Sequence, residues 1–352
     1  MLGDEVVQHP PRTLLTDAAG WVAHEITLEV REGHPLTVEK TVVVCTSRDR
    51  ARSSPTLAAT NRLRRLPDFS ALLSAHETAW RMLWNDFTVL LETDPQRTDG
   101  RQQLALNINT FHVLQSVAAV TADLDAGLPA RGLHGEGYRG HIFWDEMFVY
   151  PTLSMHRPEI SRALLGYRYR RLVEARAAAR AAGCQGAIFP WQSGIDGREE
   201  SPTELFNLRI NDWMPDNSRL QRHVGLAVAY SVWKFYESTG DISCLAEQGA
   251  ELIIEIARFF ASMAMHDEAA DRYDIAGVMG PDEFHDGYPD APGKGLPNNA
   301  YTNVMAAWVM QSPCSCRGTP TRCGTGSGCV PGSRRGGGSS AAGCACHSMP
   351  AA

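Results

Sequence analysis

The chain lacks most of the signatures that would assign it at a glance. No apolar stretch in its 352 residues approaches the length needed to cross a bilayer. Its first residues, MLGDEVVQHPPRTLL, have neither the basic start nor the apolar run of a secretory signal, so a cytoplasmic setting is expected. A net charge of -7 and a pI near 5.9 argue against nucleic acid or an anionic membrane as a general partner. There is no glycine-rich phosphate loop with Lys-Ser/Thr, no G-x-G-x-x-G after a strand, no H-E-x-x-H and no G-x-S-x-G. Neither a nucleotide nor a metal cofactor has support. Cysteine is scarce through most of the chain, with only Cys45, Cys184 and Cys244 before the last quarter. Isolated cysteines of this kind are usually small buried hydrophobes.

The remaining six cysteines fall between Cys314 and Cys346, in a Gly/Ser/Pro-rich run with few large apolar residues. The pairs Cys314/Cys316 and Cys344/Cys346 match no zinc-module spacing. Residues 313–352 have the composition of a disordered tail. A shift of reading frame near residue 311, replacing a helical continuation, accounts for it better and is the expectation preferred here.

A hydrophobic content of 43% is ordinary for a globular protein, and the length allows two or three domains. Residues 21–47 are β-rich: Trp21–Val30 alternates in part, Arg31–Pro35 is a turn signal, and Leu36–Thr46 is dense in Val and Thr. From about Phe69 the period turns helical. Trp80, Leu83, Trp84 and Phe87 form one stripe on a helix over 70–91. Further helices are expected over 102–124, over 157–182 with Pro158 in its first turn and Gly183 at its end, over 218–239 capped by Ser218, and over 241–265. Long loops rich in Trp, Asp, Glu, Arg and Gly join them, and such loops are uncommon unless functional.

The densest stretch is Leu133–Pro151, LHGEGYRGHIFWDEMFVYP, which crowds rings and ionic groups around three glycines. A sugar pocket needs both: rings against the apolar face of a pyranose, and fixed polar groups for its hydroxyls. Trp144 is a candidate stacking ring and Asp145 a candidate hydroxyl-binding carboxylate; a buried Trp beside a helix-start Asp is the competing reading. Arg139 and His141 add polar reach, and Gly135, Gly137 and Gly140 allow close backbone approach. Trp191, in Phe189–Gly194, is a second candidate platform, while Arg198, Glu199 and Glu200 either contact a second sugar or are merely solvated. Glu283, in Gly280-Pro281-Asp282-Glu283-Phe284-His285, is the best candidate general acid: a carboxyl beside a ring and partly removed from water stays protonated near neutrality. Its alternative role is to cap the next element. In Asn298–Asn303, Thr302 is taken as a helix cap rather than part of the site rim.

These segments together resemble glycoside hydrolase family 65, the inverting phosphorylases of maltose, trehalose, kojibiose and related α-glucosides. The matching runs are Gly135–His141 into Phe143-Trp144-Asp145, Pro190-Trp191, Gly280–His285 and Asn298–Asn303, with Phe111–Gln115 and Glu39–Asp49 in addition. The resemblance covers roughly residues 20–310. It implies a mainly α fold: a partial (α/α)6 barrel over 101–312, preceded by the last strands of a β-sandwich in 1–66 and a helical linker over 67–100. It also places Glu283 on the general acid, Trp144 and Asp145 on glucose-binding positions, and the loop from Trp191 to Asn217 on the acceptor side. The implied substrates are an α-linked glucose disaccharide and inorganic phosphate as co-substrate, with no other cofactor, and the family is commonly dimeric. A hydrolase of the same fold and a non-catalytic fragment are the alternatives. The family's phosphate-binding residues lie C-terminal to the general acid, where this chain departs from the pattern.

Overall fold

A computed structural model describes residues 12–47, 49, 53–92, 100–117, 119–132, 137–281 and 285–315, and the side chains of Ala119, Val120, Arg139 and 312–315 are outside the description. Cα proximity divides the chain into two units, Met1–Cys45 with Thr56–Ala75, and Thr46–Pro55 with His76–Ala352.

In the first unit β1 (Arg12–Leu15) pairs antiparallel with β2 (Ala23–Ile26), Arg12 opposite Ile26 and Leu15 opposite Ala23. The turn at Arg31–Pro35 forms, with the His34 N–H donating to the Arg31 carbonyl at 3.1 Å. The expected second β-run does not. Leu36–Thr46 joins no ladder among the described residues, and Val38, Val42 and Val44 stay exposed. Strand preference reflects fit to a pleated, half-buried surface, so it is realised only beside a partner. Helix α1 (Pro55–Leu63) is short and without a buried residue.

Helix α2 (Phe69–Phe87) realises the Trp80/Leu83/Trp84/Phe87 stripe, and within the second unit this stripe is its inner face. Phe87 is buried, Trp80 stacks on Phe111 of α3 (Arg101–Ser116) at 4.8 Å, and Asp86 pairs with Arg157 at 2.5 Å. The helix expected over 102–124 breaks after Ser116 and resumes only as a 3₁₀ turn, Ala119–Asp123.

The body of the second unit is helical: α4 (Glu146–His156), α5 (Pro158–Arg170), α6 (Leu172–Ala181), α7 (His223–Thr239), α8 (Ala250–Met263) and α9 (Ala300–Ser315). Pro158 sits at the start of α5 as expected, but the run over 157–182 is two helices, divided at Arg171. Arg171 turns its guanidinium to the Ile195 carbonyl and to Asp125 instead of continuing the rod. The run over 241–265 begins with Asp241, whose carboxylate accepts from the Cys244 N–H, and passes through a π turn, Leu245–Gly249, before α8. Two small antiparallel hairpins, β3 (Glu204–Asn207) with β4 (Asp212–Pro215) and β5 (Met265–Asp267) with β6 (Arg272–Asp274), complete it. Helix α7 is the centre: α4, α5, α8 and α9 pack on it, and nearly every residue from His223 to Val232 is buried. Its first ten residues are almost wholly apolar because they are covered on all sides, and only beyond them do Lys234 and Glu237 reach solvent, where they pair at 2.6 Å. Among the described residues no helix is long and apolar enough to cross a membrane.

Candidate sugar-binding site

Two loops that are distant in sequence are stitched together at the mouth of these helices. The Ile142 N–H donates to the Ser193 carbonyl at 3.1 Å, and the Ser193 N–H donates back to Ile142 at 2.9 Å. This two-bond bridge brings the segment of Trp144 against the segment of Trp191.

Between the two rings stands His223, the first residue of α7. Its imidazole meets Trp144 edge-on at 4.6 Å and Trp191 at 5.6 Å, and Tyr301 of α9 closes the group at 5.9 Å from His223 and 6.0 Å from Trp144. His223 is fully buried, and neither ring nitrogen has a hydrogen-bond partner among the described residues. Burial pushes its pKa down to about 4, and an interaction with the Met279 backbone offsets this only in part. The imidazole is therefore neutral at physiological pH.

Each tryptophan is held by its own device. Phe143 and Glu146, on either side of Trp144 and Asp145, are both bound by Arg168: its Nε donates to Glu146 at 2.7 Å and Nη2 to the Phe143 carbonyl at 3.1 Å. Arg168 and Glu146 are 1% and 4% exposed, and Tyr150 is buried beside them. Burial pushes the Glu146 carboxyl up, and the guanidinium opposes that shift while being held firmly in its own charged form. Trp191 is held instead by Glu199, which accepts from the backbone N–H of Trp191 at 3.0 Å and of Gln192 at 3.1 Å. The Tyr167 hydroxyl donates to the Gly194 carbonyl at 2.5 Å, beneath the same loop.

The expected site residues are thus partly assembled. Trp144 is half-buried, and Asp145 is exposed just before α4, with surrounding protein raising its carboxyl pKa and the Arg131 charge opposing that. Trp191 is buried rather than an open platform: it packs edge-on to Phe143 at 5.2 Å. His141 is turned to its own backbone, Nδ1 lying 2.7 Å from the Tyr138 carbonyl, at a bend where Tyr138 and Gly140 both have positive φ. Glu200 is exposed; its backbone N–H holds Gln192, and its side chain lies against Gly194. Arg198 is occupied by Asp196. The Arg139 side chain and all of Glu283, with Asp282 and Phe284, lie outside the described residues.

The approach to Glu283 is nonetheless fixed. The Met279 N–H donates to the Leu220 carbonyl at 2.8 Å, and Val278 bridges to Leu296. Gly280 is pressed against Asn299, where an added Cβ would lie 2.3 Å from Nδ2, so no larger residue fits unless Asn299 moves. Asn299 is the cap of α9: its Oδ1 accepts from the Thr302 N–H at 3.1 Å. Thr302, expected as the cap, is instead a buried member of the first turn whose hydroxyl donates to Asn299. Ser218 likewise is not the cap of α7; it opens a 3₁₀ turn, Ser218–Leu220, and donates to Asp216.

Sequence reasoning missed His223 and the clamping role of Glu199. A lone histidine opening an apolar helix has the look of ordinary core, and Glu199 is one carboxylate among several in its loop. No feature of the sequence marked either.

Comparison with known proteins decides the family. The profile of the glycosyl hydrolase family 65 central catalytic domain matches residues 107–320, and that of the family's N-terminal domain matches residues 5–83. The chain belongs to glycosyl hydrolase family 65. It is 47% identical over 288 residues to an uncharacterised glycosyl hydrolase of Mycobacterium tuberculosis, covering 82% of this chain and 21% of that protein. It is 39% identical over 291 residues to trehalose 6-phosphate phosphorylase of Lactococcus lactis, covering 82% of this chain and 36% of the relative. In structure it is similar to a putative kojibiose phosphorylase from the human microbiome, with TM-score 0.60 and 24% identity over 74% of this chain and 32% of that one. The chain therefore spans about a fifth to a third of the length of the family 65 proteins it matches.

Proposed function

We propose that this chain carries the sugar-binding and proton-donating part of an inverting α-glucoside phosphorylase, its helical body being the first part of an (α/α)6 barrel. The observation that carries the reading is the joining of Trp144, Trp191 and Tyr301 around neutral His223, beside the fastened backbone that leads to Glu283. Trp144 packs against the terminal glucose and Asp145 takes its hydroxyls. Glu283 gives its proton to the glycosidic oxygen as the C–O bond breaks. A phosphate oxygen attacks the anomeric carbon from the opposite face, giving β-glucose 1-phosphate and the free acceptor. A hydrolase would need a second carboxylate about 6.5–9.5 Å from the acid to activate water; phosphate is already anionic and needs only a cationic cradle. In this reading the cradle lies beyond the family stretch present here, so the 352-residue chain binds α-glucosides without turning them over. The relatives named for their activity leave open whether the substrate is plain or phosphorylated.

Titration of the chain with glucose and kojibiose, followed by tryptophan fluorescence, and a glucose 1-phosphate assay with and without phosphate test this together. Saturable fluorescence change with no product is expected. Phosphate-dependent product would place the cradle within this chain, and phosphate-independent cleavage would favour the hydrolase. Absence of any binding would remove the glucoside reading. In a full-length form, Glu283→Gln abolishes cleavage; substantial residual activity there would sink the acid assignment.

A further inference from the structure

His223 is a poor choice for packing alone. The imidazole is fully buried, and neither ring nitrogen has a hydrogen-bond partner among the described residues. A phenylalanine would fill the same ring-shaped space with no polar atom to desolvate. Most of what surrounds the imidazole is aromatic. Trp144 meets His223 at 4.6 Å, Phe148 at 5.6 Å and Tyr301 at 6.0 Å, with interplanar angles of 81°, 71° and 78°. Three steep contacts fix the tilt of the half-buried indole, and of the three rings only the histidine is fully buried.

The other neighbour is backbone. The Leu220 carbonyl, three residues before His223, accepts from the Met279 N–H at 2.8 Å. The chain entering α7 thus runs beside the segment that leads to Glu283. An imidazole nitrogen faces the Met279 backbone across this join, short of hydrogen-bond geometry, and the contact favours the protonated nitrogen, as a carbonyl acceptor does. Hydrogen bonds in active sites are often long without substrate and shorten when it is bound. One side chain therefore touches both the ring that packs against glucose and the backbone that carries the acid.

We propose that His223 is the positioning residue of this site: its ring sets the tilt of Trp144, and its N–H donates to the Met279 carbonyl once a glucoside is bound, fixing the approach to Glu283. This rests on the α-glucoside reading above. A role in packing alone makes the two effects inseparable, whereas a positioning role lets ring and nitrogen be removed in turn. His223→Phe keeps a ring without nitrogens, and His223→Gln keeps a donor near the Nε2 position without the ring. Kojibiose affinity is read by tryptophan fluorescence, and amide exchange at Val278–Gly280 by mass spectrometry with and without the sugar. In the native chain kojibiose should slow that exchange at least about threefold. His223→Phe should bind kojibiose within about twofold of the native chain and lose the slowing. His223→Gln should bind about fivefold or more weakly, yet at saturating sugar keep part of the slowing, which a collapsed fold would not. Slowing in His223→Phe equal to that of the native chain overturns the proposal and leaves the glucoside reading standing, as does kojibiose binding to the native chain with no slowing. Binding and slowing lost in step in both variants overturn it by making the histidine plain core. Absence of kojibiose binding to the native chain removes the glucoside reading and the proposal with it.

Discussion

The two tryptophans of the site are mounted by opposite means. Trp144 rides on a segment locked from below by a buried ion pair, Arg168 with Glu146, which has almost no access to water. Trp191 rides on a loop gripped by Glu199, a carboxylate on an exposed residue that accepts backbone N–H groups. The first device is costly to break, because either partner left alone is a charge in a low-dielectric interior. The second is cheap to break, because water replaces a lost carboxylate at the surface. The contrast teaches that the Trp144 mounting stands or falls with a buried charge pair, whereas the Trp191 loop is held mainly by its own burial, with Ile188, Phe189 and Trp191 in the core and the Glu199 grip added at its surface.

The largest effect expected follows from the buried pair. Arg168→Met should cost roughly 3–5 kcal/mol of unfolding free energy by stranding Glu146, read by urea denaturation. Arg168→Met with Glu146→Leu should recover most of that loss. If the single variant is nearly neutral, the contrast between the two mountings is wrong.

His223 lies on the shared boundary, and its test is pH. Its folded pKa of about 4 lies below the ordinary imidazole value of 6.5, so the unfolded chain binds the proton more tightly. Its contribution is complete above pH 6.5, is lost as pH falls through that window, and is gone below about 4. The size is roughly 3 kcal/mol. Denaturation midpoints at pH 7, 5.5 and 4.5 should fall together in the native chain and fall less in His223→Gln. Asp125 and Asp241, held below the usual carboxylate range by hydrogen bonds and arginine charges that outweigh their burial, are also lost on acidification but titrate lower and are common to both proteins. Parallel pH profiles would show that His223 is not the titrating group.

Glu199→Gln should cost less, about 1–2 kcal/mol after allowance for solvent, while weakening sugar binding more than its effect on stability would suggest. Fluorescence titration beside denaturation separates these. A variant equally impaired in both would make the Trp191 loop as structural as its counterpart. The smallest effect belongs to the cap: Asn299→Ala should cost about 1 kcal/mol, and Thr302→Val should not reproduce the loss of the Thr302 N–H acceptor.

Much of this site could be read before the fold was known, and the failures share a cause. The stripe of α2, the Pro158 start of α5 and the crowding of rings and ions in Leu133–Pro151 are local patterns, visible because helical period and composition are local. The capping roles given to Ser218 and Thr302 were each close to the right place. Cap choice there depends on which neighbouring carboxylate or amide arrives from outside the turn, Asp216 in one case and Asn299 in the other. The valine-rich run Leu36–Thr46 had the composition of a strand but finds no partner among the described residues.

By itself the sequence determined the mainly helical body, the family motifs and the rings available to a sugar. It could do so because periodicity and residue chemistry belong to the chain one segment at a time. Only the tertiary structure decided that Ile142 bridges Ser193, that His223 stands between Trp144 and Trp191, and that Glu199 grips the backbone of Trp191 and Gln192. Those are meetings of residues far apart in the chain, fixed by how α7 is buried among its neighbours, and no local pattern encodes them.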